Sequence, residues 1–240
     1  MISRNIEEQT SQILLIGDDP NMLRTLRRNL VGRGYDVHIA FDDQECFAMA
    51  TEINPDLCIL ILDFTTLNLD GLLVCEELRK HTSAPIIALS TTGSSKYEIQ
   101  VLDMGADDYL VMPFGMEKFL ARVRSALRRS ARFQAKQNAE DRMIIAGDLI
   151  IDVENRQIIV QGEQVHLTPT EYSLLLYLAR RRGKVISHRE LLKAVWGVEY
   201  GDEREYLRVF ISQIRHKIES DPLRPAYILT EPGVGYRFRD

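Results

Sequence analysis

The stretch LCILILDFTTLNLDG, residues 57–71, decides the fold of the first half of the chain. Six consecutive apolar residues lead into Asp63, and an Asp-Gly turn follows. An apolar run of this length, preceded by Pro55, predicts a central parallel strand buried on both faces. Ligands of open α/β sheets lie outside the carboxyl ends of such strands, so Asp63 is a candidate reactive group. The alternative is that Asp63 only caps or turns the chain.

The segments around this strand alternate between strand and helix patterns. Each of five short apolar runs is followed by a segment with apolar residues at helical spacing. The strands are expected at 13–16, 37–40, 57–62, 85–89 and 109–112, and the helices at 20–33, 44–53, 72–81, 95–104 and 117–129. This order predicts an α/β domain, a five-stranded doubly wound parallel sheet, over residues 12–129.

The composition indicates two globular domains in 240 residues, of which 45% are hydrophobic. Residues 1–130 hold 13 Lys and Arg against 19 Asp and Glu, whereas residues 131–240 hold 17 against 16. An acidic first half and an Arg-rich second half suggest different partners. The N-terminus is polar and the apolar runs are short, so we expect a cytoplasmic protein without membrane contact. The three cysteines lack metal-type spacing and are expected to be buried, reduced thiols.

Several side chains follow the predicted strands and meet at one edge of the sheet. They are Asp18 and Asp19 after the first strand, Asp63 after the third and Ser90 after the fourth. Together with GADDYLVMPF at 105–114, they resemble the receiver domain of bacterial response regulators. The resemblance implies a CheY-like fold in which Asp63 takes a phosphoryl group from a histidine kinase with the help of Mg²⁺. It also implies that Ser90 and Tyr109 are switch residues; a strand-end hydroxyl and a half-buried ring are their alternative roles.

Two substitutions in this resemblance weaken the chemistry. Gly17 stands where the family has the first acid of its Mg²⁺-binding pair, and Asp19 comes one place late, after the matched Asp18. Side chains alternate in direction along an extended segment, so Asp19 does not simply replace the missing ligand. Met112 stands where the family has a lysine that neutralises the phosphoryl oxygens, and a thioether donates no hydrogen bond to them.

The spacing of Asp63 is a third departure, because it lies two residues further from Pro55 than is usual. If the strand carries the extra pair, Asp63 moves outward by about 7 Å; if the preceding loop absorbs it, nothing moves. We expect no cofactor, with Mg²⁺ as the open alternative, and no ordinary Mg²⁺-dependent phosphorylation of Asp63, since too few charged groups remain to stabilise the phosphoryl. A conventional phosphorylated regulator with a kinase partner is the alternative.

The resemblance also implies a homodimer through the fourth helix, fifth strand and fifth helix. Family pairing there uses a basic residue on the fourth helix and a Glu on the fifth, and this chain has Glu98 and Lys118, with both signs reversed. Reversal of both preserves attraction and repels chains with the usual signs. The alternative is two solvated charges, since exposed pairs contribute little. Further pairs across the dimer are expected from Asp107, Asp108, Arg122 and Arg129.

The second half begins after a polar linker at 130–142. Strand patterns at 148–153, 157–160 and 164–167 precede two helix starts, at Thr168 and Ser187. Thr168, Pro169 and Glu171 form the pattern of a capping box with proline at the first helical position. A longer helix over 203–219 follows, and a terminal hairpin over 227–230 and 236–238 forms a wing. Residues 143–240 therefore predict an α+β winged helix-turn-helix domain.

The longer helix is the candidate for contact with DNA. Its core stripe is Leu207, Ile211, Ile214 and Ile218, and its other face carries Arg204, Arg208, Ser212, Arg215 and His216. Such a face fits a major groove, where arginine bonds guanine edges. The alternative is a merely solvated charged face.

The motifs HLTPTEYSLLLYL at 166–178 and EPGVGYRF at 231–238 resemble the output domain of the OmpR/PhoB family, and the last helix and wing are most similar to its KdpE subgroup. The resemblance implies regulation of potassium-uptake operons, double-stranded DNA and RNA polymerase as partners, Gln213 among the DNA-facing residues and Arg237 near phosphate. Pro232 stands where many relatives have a wing-tip arginine.

Three functional hypotheses follow from the sequence. The first is a DNA-binding regulator, not an enzyme, that dimerises on a direct or inverted repeat. An enzyme acting through Asp63 is the second, and Gly17 and Met112 argue against it. A module that binds another protein through its receiver is the third.

Overall fold

The computed structural model describes residues 10–62, 71–134, 142–201 and 203–240. Asp63 therefore lies outside the described residues, as does most of the linker predicted over 130–142. Within the described part of the chain, no helix is long and apolar enough to cross a membrane.

In its described residues, the first domain consists of five strands and five helices in strict alternation, as the sequence predicts. In chain order they are β1 (Gln12–Ile16), α1 (Pro20–Val31), β2 (Asp36–Ala40), α2 (Asp43–Ile53), β3 (Leu57–Leu62), α3 (Gly71–His81), β4 (Ile86–Ser90), α4 (Ser95–Asp103), β5 (Asp108–Val111) and α5 (Met116–Gln134). The strands form one parallel sheet in the order β2-β1-β3-β4-β5, which confirms the doubly wound fold.

The central position of β3 follows from its sequence, because all six of its residues are buried. It pairs with β1 from Leu57 to Leu60 and with β4 from Cys58 to Leu62. The strand therefore extends two residues beyond the end of its β1 ladder. Cys46, Cys58 and Cys75 are buried and free, as expected, and burial raises the pKa of each thiol to about 12.

The described part of the second domain, residues 142–201 and 203–240, has a four-stranded antiparallel sheet, three helices and a three-stranded wing sheet. The elements are β6 (Met143–Ala146), β7 (Leu149–Asp152), β8 (Gln157–Val160), β9 (Glu163–Val165), α6 (Pro169–Ala179), β10 (Val185–Ser187), α7 (His188–Val195), α8 (Arg204–Ile218), β11 (Ile228–Glu231) and β12 (Gly235–Phe238). The short strands β6 and β10 were not predicted. Helix α5 continues to Gln134, so the start of the predicted linker is helical.

The start of α6 confirms the predicted capping box. The Thr168 hydroxyl accepts a hydrogen bond from the Glu171 backbone N–H at 3.3 Å, and the Glu171 carboxylate accepts one from the Thr168 N–H at 2.7 Å. Lys217 of α8 also donates to this carboxylate, at 2.7 and 2.8 Å. The buried Glu171 thus fixes the start of α6 against α8.

Candidate nucleic-acid interface and receiver site

Helix α8 presents an exposed polar stripe at a spacing of four residues. Arg204, Arg208, Ser212 and His216 are all exposed, whereas the predicted core stripe on the opposite side is buried. The Arg208 guanidinium pairs with Glu205 on the same helix, at 2.7 Å, and both side chains are largely in solvent. An exposed arginine on a helix face can reach base edges or phosphates in a groove.

Three of the predicted DNA contacts have other partners. The Arg215 guanidinium donates to the Ile228 carbonyl at 2.6 and 3.1 Å and to the Thr230 hydroxyl at 2.9 Å, so it holds β11 against α8. The Arg237 Nε donates to Glu231 at 2.8 Å across the wing hairpin. The third is Gln213, which turns away from the exposed stripe. The predicted DNA-facing set is therefore divided between an exposed group and groups committed to packing.

The first domain lies against the flank of α8 beside the exposed stripe. The Gln213 amide donates to the Leu102 carbonyl of α4 at 2.9 Å. The Tyr206 hydroxyl accepts from the Tyr109 backbone N–H at 3.0 Å and donates to the Tyr109 carbonyl at 2.8 Å. Tyr206 is 2% exposed. The first turn of α8, at Tyr206, and its third turn, at Gln213, are thus bonded to the first domain of the same chain.

A buried charge network joins the domains next to these contacts. The Arg122 guanidinium of α5 pairs with Asp108 at 3.0 Å and with Glu203, just before α8, at 2.9 Å. It also lies over the Tyr200 ring, 3.6 Å from the centroid, and the Tyr200 hydroxyl bonds the Asp108 carboxylate. The Arg122 side chain is 5% exposed. This network crosses from receiver to output domain within one chain.

Trp196, at the end of α7, makes the second set of domain contacts. Its indole N–H donates to the Asp107 carbonyl at 3.1 Å, and its own carbonyl accepts from the Ser125 hydroxyl. Arg129 is buried beside it and donates to Ser125 at 3.3 Å. The Nε and second Nη of Arg129 have no hydrogen-bond partner among the described residues. The contact therefore contains a cation with incomplete hydrogen bonding.

The residues predicted for a dimer interface are largely part of this intrachain contact. Asp108, Arg122 and Arg129 are buried in it, and the Asp107 carboxylate pairs with Arg79 of its own receiver at 2.7 Å. These residues were predicted to pair with a second chain. In the single chain they contact its own output domain, which occupies the same face. The dimer itself stays a prediction.

Glu98 belongs to this contact as well, whereas Lys118 is exposed. Burial raises the pKa of the Glu98 carboxyl, with the Tyr206 hydroxyl as a hydrogen-bonding neighbour that opposes the rise. Burial, Asp108 and Glu98 together raise the pKa of Tyr206 well above its usual value, so this phenol stays protonated. Glu98 and Lys118, which were expected to attract each other across a dimer, thus differ: Glu98 lies in the contact between the domains and Lys118 lies in solvent.

At the receiver site, the residue at the usual phosphoacceptor distance from Pro55 is Ile61. The Asp56 carboxylate accepts from the Gln12 N–H and the Asp56 N–H donates to the Gln12 carbonyl, both at 2.9 Å, which fixes the loop at the start of β1. β3 then runs unbroken to Leu62. These contacts favour the longer strand over the longer loop.

The described side chains that share a cavity with Ile61 are mostly apolar, and Asp19 is the charged group among them. A Cβ added to Gly17 would lie 3.0 Å from the Ile61 Cβ, so an acid at position 17 would crowd Ile61. Asp19 caps α1, where its carboxylate accepts from the N–H groups of Asn21 and Met22 at 2.8 and 3.2 Å. No group of three potential metal-ligating side chains occurs among the described residues. Position 17 supplies no carboxylate and the Asp19 carboxylate is bonded to the start of α1, so these two positions do not provide the adjacent acid pair that the family uses.

The switch-like residues Ser90 and Tyr109 are both buried. The Ser90 hydroxyl accepts from the Thr92 N–H at 3.2 Å, and the Tyr109 hydroxyl donates to the Thr92 carbonyl at 2.6 Å. Since the Tyr109 backbone also bonds Tyr206, one residue contacts both the loop after β4 and the output domain. Their role as switches stays a prediction.

Sequence reasoning missed Trp196, Tyr200 and Tyr206 as interface residues. A signal was present in α8, where Tyr206, Val209 and Phe210 make a second apolar stripe beside the core stripe. A helix with two apolar faces is packed on two sides.

Comparison with known proteins agrees with this two-part structure. Residues 13–124 match the family model described as response regulator receiver domain, and residues 162–238 match the one described as transcriptional regulatory protein, C terminal. The transcriptional regulatory protein KdpE of Mycobacterium tuberculosis is 44% identical over 94% of this chain and 98% of its own length. The KDP operon transcriptional regulatory protein KdpE of Escherichia coli is 38% identical over 95% and 99%.

Among solved structures, a single-residue mutant of RitR superposes with a TM-score of 0.76 at 26% identity, covering 96% of this chain and 99% of the other. The superposition spans both domains, so the RitR structure has a similar placement of receiver and output domain.

Proposed function

The chain belongs to the OmpR/PhoB-type response regulators, DNA-binding transcription regulators with KdpE proteins among its relatives, and from that premise we propose how its DNA binding is controlled. The output domain binds double-stranded DNA with α8 in the major groove, as a homodimer on repeated half-sites. The receiver controls this binding by covering α8, and ordinary Mg²⁺-dependent phosphorylation of Asp63 is not the control. RNA polymerase is the expected partner at the promoter.

The contact between the receiver and α8 is the observation that carries the proposal. An α-helix with its side chains is about 10–12 Å across, and the major groove is about 12 Å wide, so a helix in the groove has DNA backbone on both flanks. One flank of α8 is occupied by Leu102 and Tyr109 of the receiver through Gln213 and Tyr206. The receiver must leave before α8 enters a groove.

Separation of the receiver from the output domain also exposes the receiver face that the predicted dimer requires. Asp108 and Arg122 cannot serve both Tyr200 and Glu203 of their own chain and a second receiver at once. The receiver face therefore contacts either the output domain of its own chain, in a closed monomer, or a second receiver, in an open dimer, but not both. The Nε and second Nη of Arg129 have no hydrogen-bond partner among the described residues, and this favours release, because a buried unpaired N–H costs about 1–3 kcal/mol.

The apolar receiver site supports control without ordinary phosphorylation. Gly17, Ile61 and Met112 stand where the family chemistry uses an acid, the phosphoacceptor and a lysine. Phosphoryl transfer depends on charge stabilisation by metal ions and cations, and these three side chains provide none.

The relatives named after the KDP operon favour a second candidate, a conventional phosphorylated regulator of potassium-transport genes with a histidine kinase partner. A binding measurement with Mg²⁺ and beryllofluoride separates the two. We expect no binding to the wild-type protein beyond that of an Asp63→Ala variant. Tight binding that Asp63→Ala abolishes would favour the conventional regulator.

Selection of bound duplexes from a random pool by the full-length protein tests DNA recognition. We expect an enriched repeat whose binding is weakened by about 1–3 kcal/mol in Arg208→Ala and unchanged in Arg224→Ala, a basic residue outside α8. Equal loss in both variants would show that α8 does not read the sequence.

A further inference from the structure

A cavity of about 550 Å³ opens at the carboxyl end of the receiver sheet. Its described apolar lining consists of Met22, Leu26, Ile61, Met112, Pro113, Phe114 and Met116. Drug-sized ligands occupy pockets of about 300–1,000 Å³ that are lined mainly by hydrophobic side chains with a few polar groups. The cavity has the size and lining of such a pocket.

The lining replaces the very groups that phosphoryl chemistry would use. Ile61 stands at the usual distance of the phosphoacceptor from Pro55, and Met112 stands at the position of the family lysine. Both line the cavity, and the missing side chain at Gly17 gives Ile61 its room. The substitutions are mutually consistent, since each replaces a charged group by an apolar one around the same space.

The polar groups at the rim set the charge of a ligand. They are Asp19, Thr25 and Thr91, and no lysine, arginine or histidine occurs among the described lining residues. The Thr25 hydroxyl donates to the Asn21 carbonyl at 2.8 Å, which leaves its oxygen free to accept. An anion would meet a carboxylate and no cation, whereas an uncharged ligand with a hydrogen-bond donor meets acceptors.

We propose that this cavity is a binding site for an uncharged, largely hydrophobic small molecule, in the place of the phosphorylation site. The three methionines suit this role, because unbranched thioether side chains adapt to irregular apolar shapes. Such a ligand packs against Ile61, which is already buried, and against the partly exposed Met112, without desolvating a charged group among these apolar residues.

Titration of the full-length protein with Nile red, an uncharged hydrophobic fluorophore, tests the proposal. We expect saturable binding of one Nile red per chain. Met112→Lys, which restores the family residue, and Met22→Lys on the opposite wall each weaken this binding by about tenfold or more, because they place a charge in an apolar site. Leu73→Lys, an equivalent change at a side chain that is 61% exposed on the same receiver, leaves it unchanged.

Circular dichroism and thermal melting of each variant separate loss of the pocket from loss of the fold. Non-saturable binding, or binding that both cavity variants leave intact while still folded, would overturn the proposal. Displacement of Nile red by inorganic phosphate would also overturn it, because it would show an anion site. Binding is measured without DNA, so a negative result leaves the proposed DNA-binding function standing, and failure of DNA binding leaves the pocket standing.

Discussion

Replacement of Tyr206 by phenylalanine removes one hydroxyl from the contact between receiver and α8 and keeps the ring. This hydroxyl makes two buried hydrogen bonds, at 3.0 and 2.8 Å, to the backbone of Tyr109. The Tyr109 N–H keeps a second acceptor, the Asp108 carboxylate at 2.9 Å, so the variant does not leave it unpaired. The change therefore weakens closure without a large packing defect.

Two hydrogen bonds at about 0.5–1.5 kcal/mol each contribute roughly 1–3 kcal/mol, and because the Tyr109 N–H keeps its second acceptor we take a loss of roughly 1–2 kcal/mol for the closed state. The open state loses nothing comparable, because there water bonds the hydroxyl. A change of this size is a factor of about 5–30 in the ratio of open to closed protein. Where the closed form dominates, the apparent Kd for DNA falls by the same factor, since it equals the intrinsic Kd divided by the open fraction.

Fluorescence anisotropy with a selected duplex measures this Kd for the full-length protein. Tyr227→Phe is the matched control, because it removes a hydroxyl from the output domain away from the receiver and should leave the Kd unchanged. An unchanged or weaker affinity in Tyr206→Phe, with the melting temperature within a few degrees of wild type, would refute the inhibitory role of the contact.

The exposed and the packed arginine of α8 should affect different properties, DNA affinity and thermal stability. Arg208→Ala weakens DNA binding by about 1–3 kcal/mol and leaves the melting temperature unchanged. Fluorescence anisotropy measures the first and thermal melting the second. Arg215→Ala instead lowers the melting temperature, because it removes three hydrogen bonds to β11; equal stability of the two variants would contradict this division. Thr168→Ala lowers the unfolding free energy by about 1 kcal/mol through loss of the α6 cap, measured by urea denaturation, and no loss would show that the cap is redundant. Burial raises the pKa of the Cys58 thiol to about 12, so less than about one thiol in a thousand is ionised at pH 8, and iodoacetamide should label the protein only after unfolding.

The sheet and its helices could be predicted from sequence because their signals are local. The buried run of β3 and the five changes between strand and helix periodicity fix the order of elements, and the capping residues Thr168 and Glu171 fix a helix start. The short strands β6 and β10 were not predicted, because a segment of three or four residues is too short to show a periodic pattern of apolar residues. The same locality explains why α5 was ended at Arg129 although the helix reaches Gln134.

The contact between the domains could not be predicted in the same way. Reversed charges at Glu98 and Lys118 suggested a second chain, yet a sequence does not show whether a face meets another molecule or its own output domain. The spacing of Asp63 from Pro55 left open whether the strand or the preceding loop carries the two extra residues, and the bonds between Asp56 and Gln12 together with the ladder of β3 with β1 favour the strand. Both the contact between the domains and the register of β3 against β1 depend on residues far apart in the sequence, so a local sequence pattern does not determine them.

The central claim is that the receiver must leave α8 before DNA binds, and a crosslink between the two tests it most directly. Asp103 and Gln213 are hydrogen-bonding neighbours across the contact, and an Asp103→Cys, Gln213→Cys variant places two accessible thiols there, while the native thiols are buried.

A short bifunctional maleimide then joins the domains of the full-length protein, and the uncrosslinked double variant is the control for the loss of Gln213. We predict that the control binds the selected duplex and that the crosslinked protein does not. Equal affinity of the two forms would contradict the account, because it would show that α8 reads DNA with the receiver still in place.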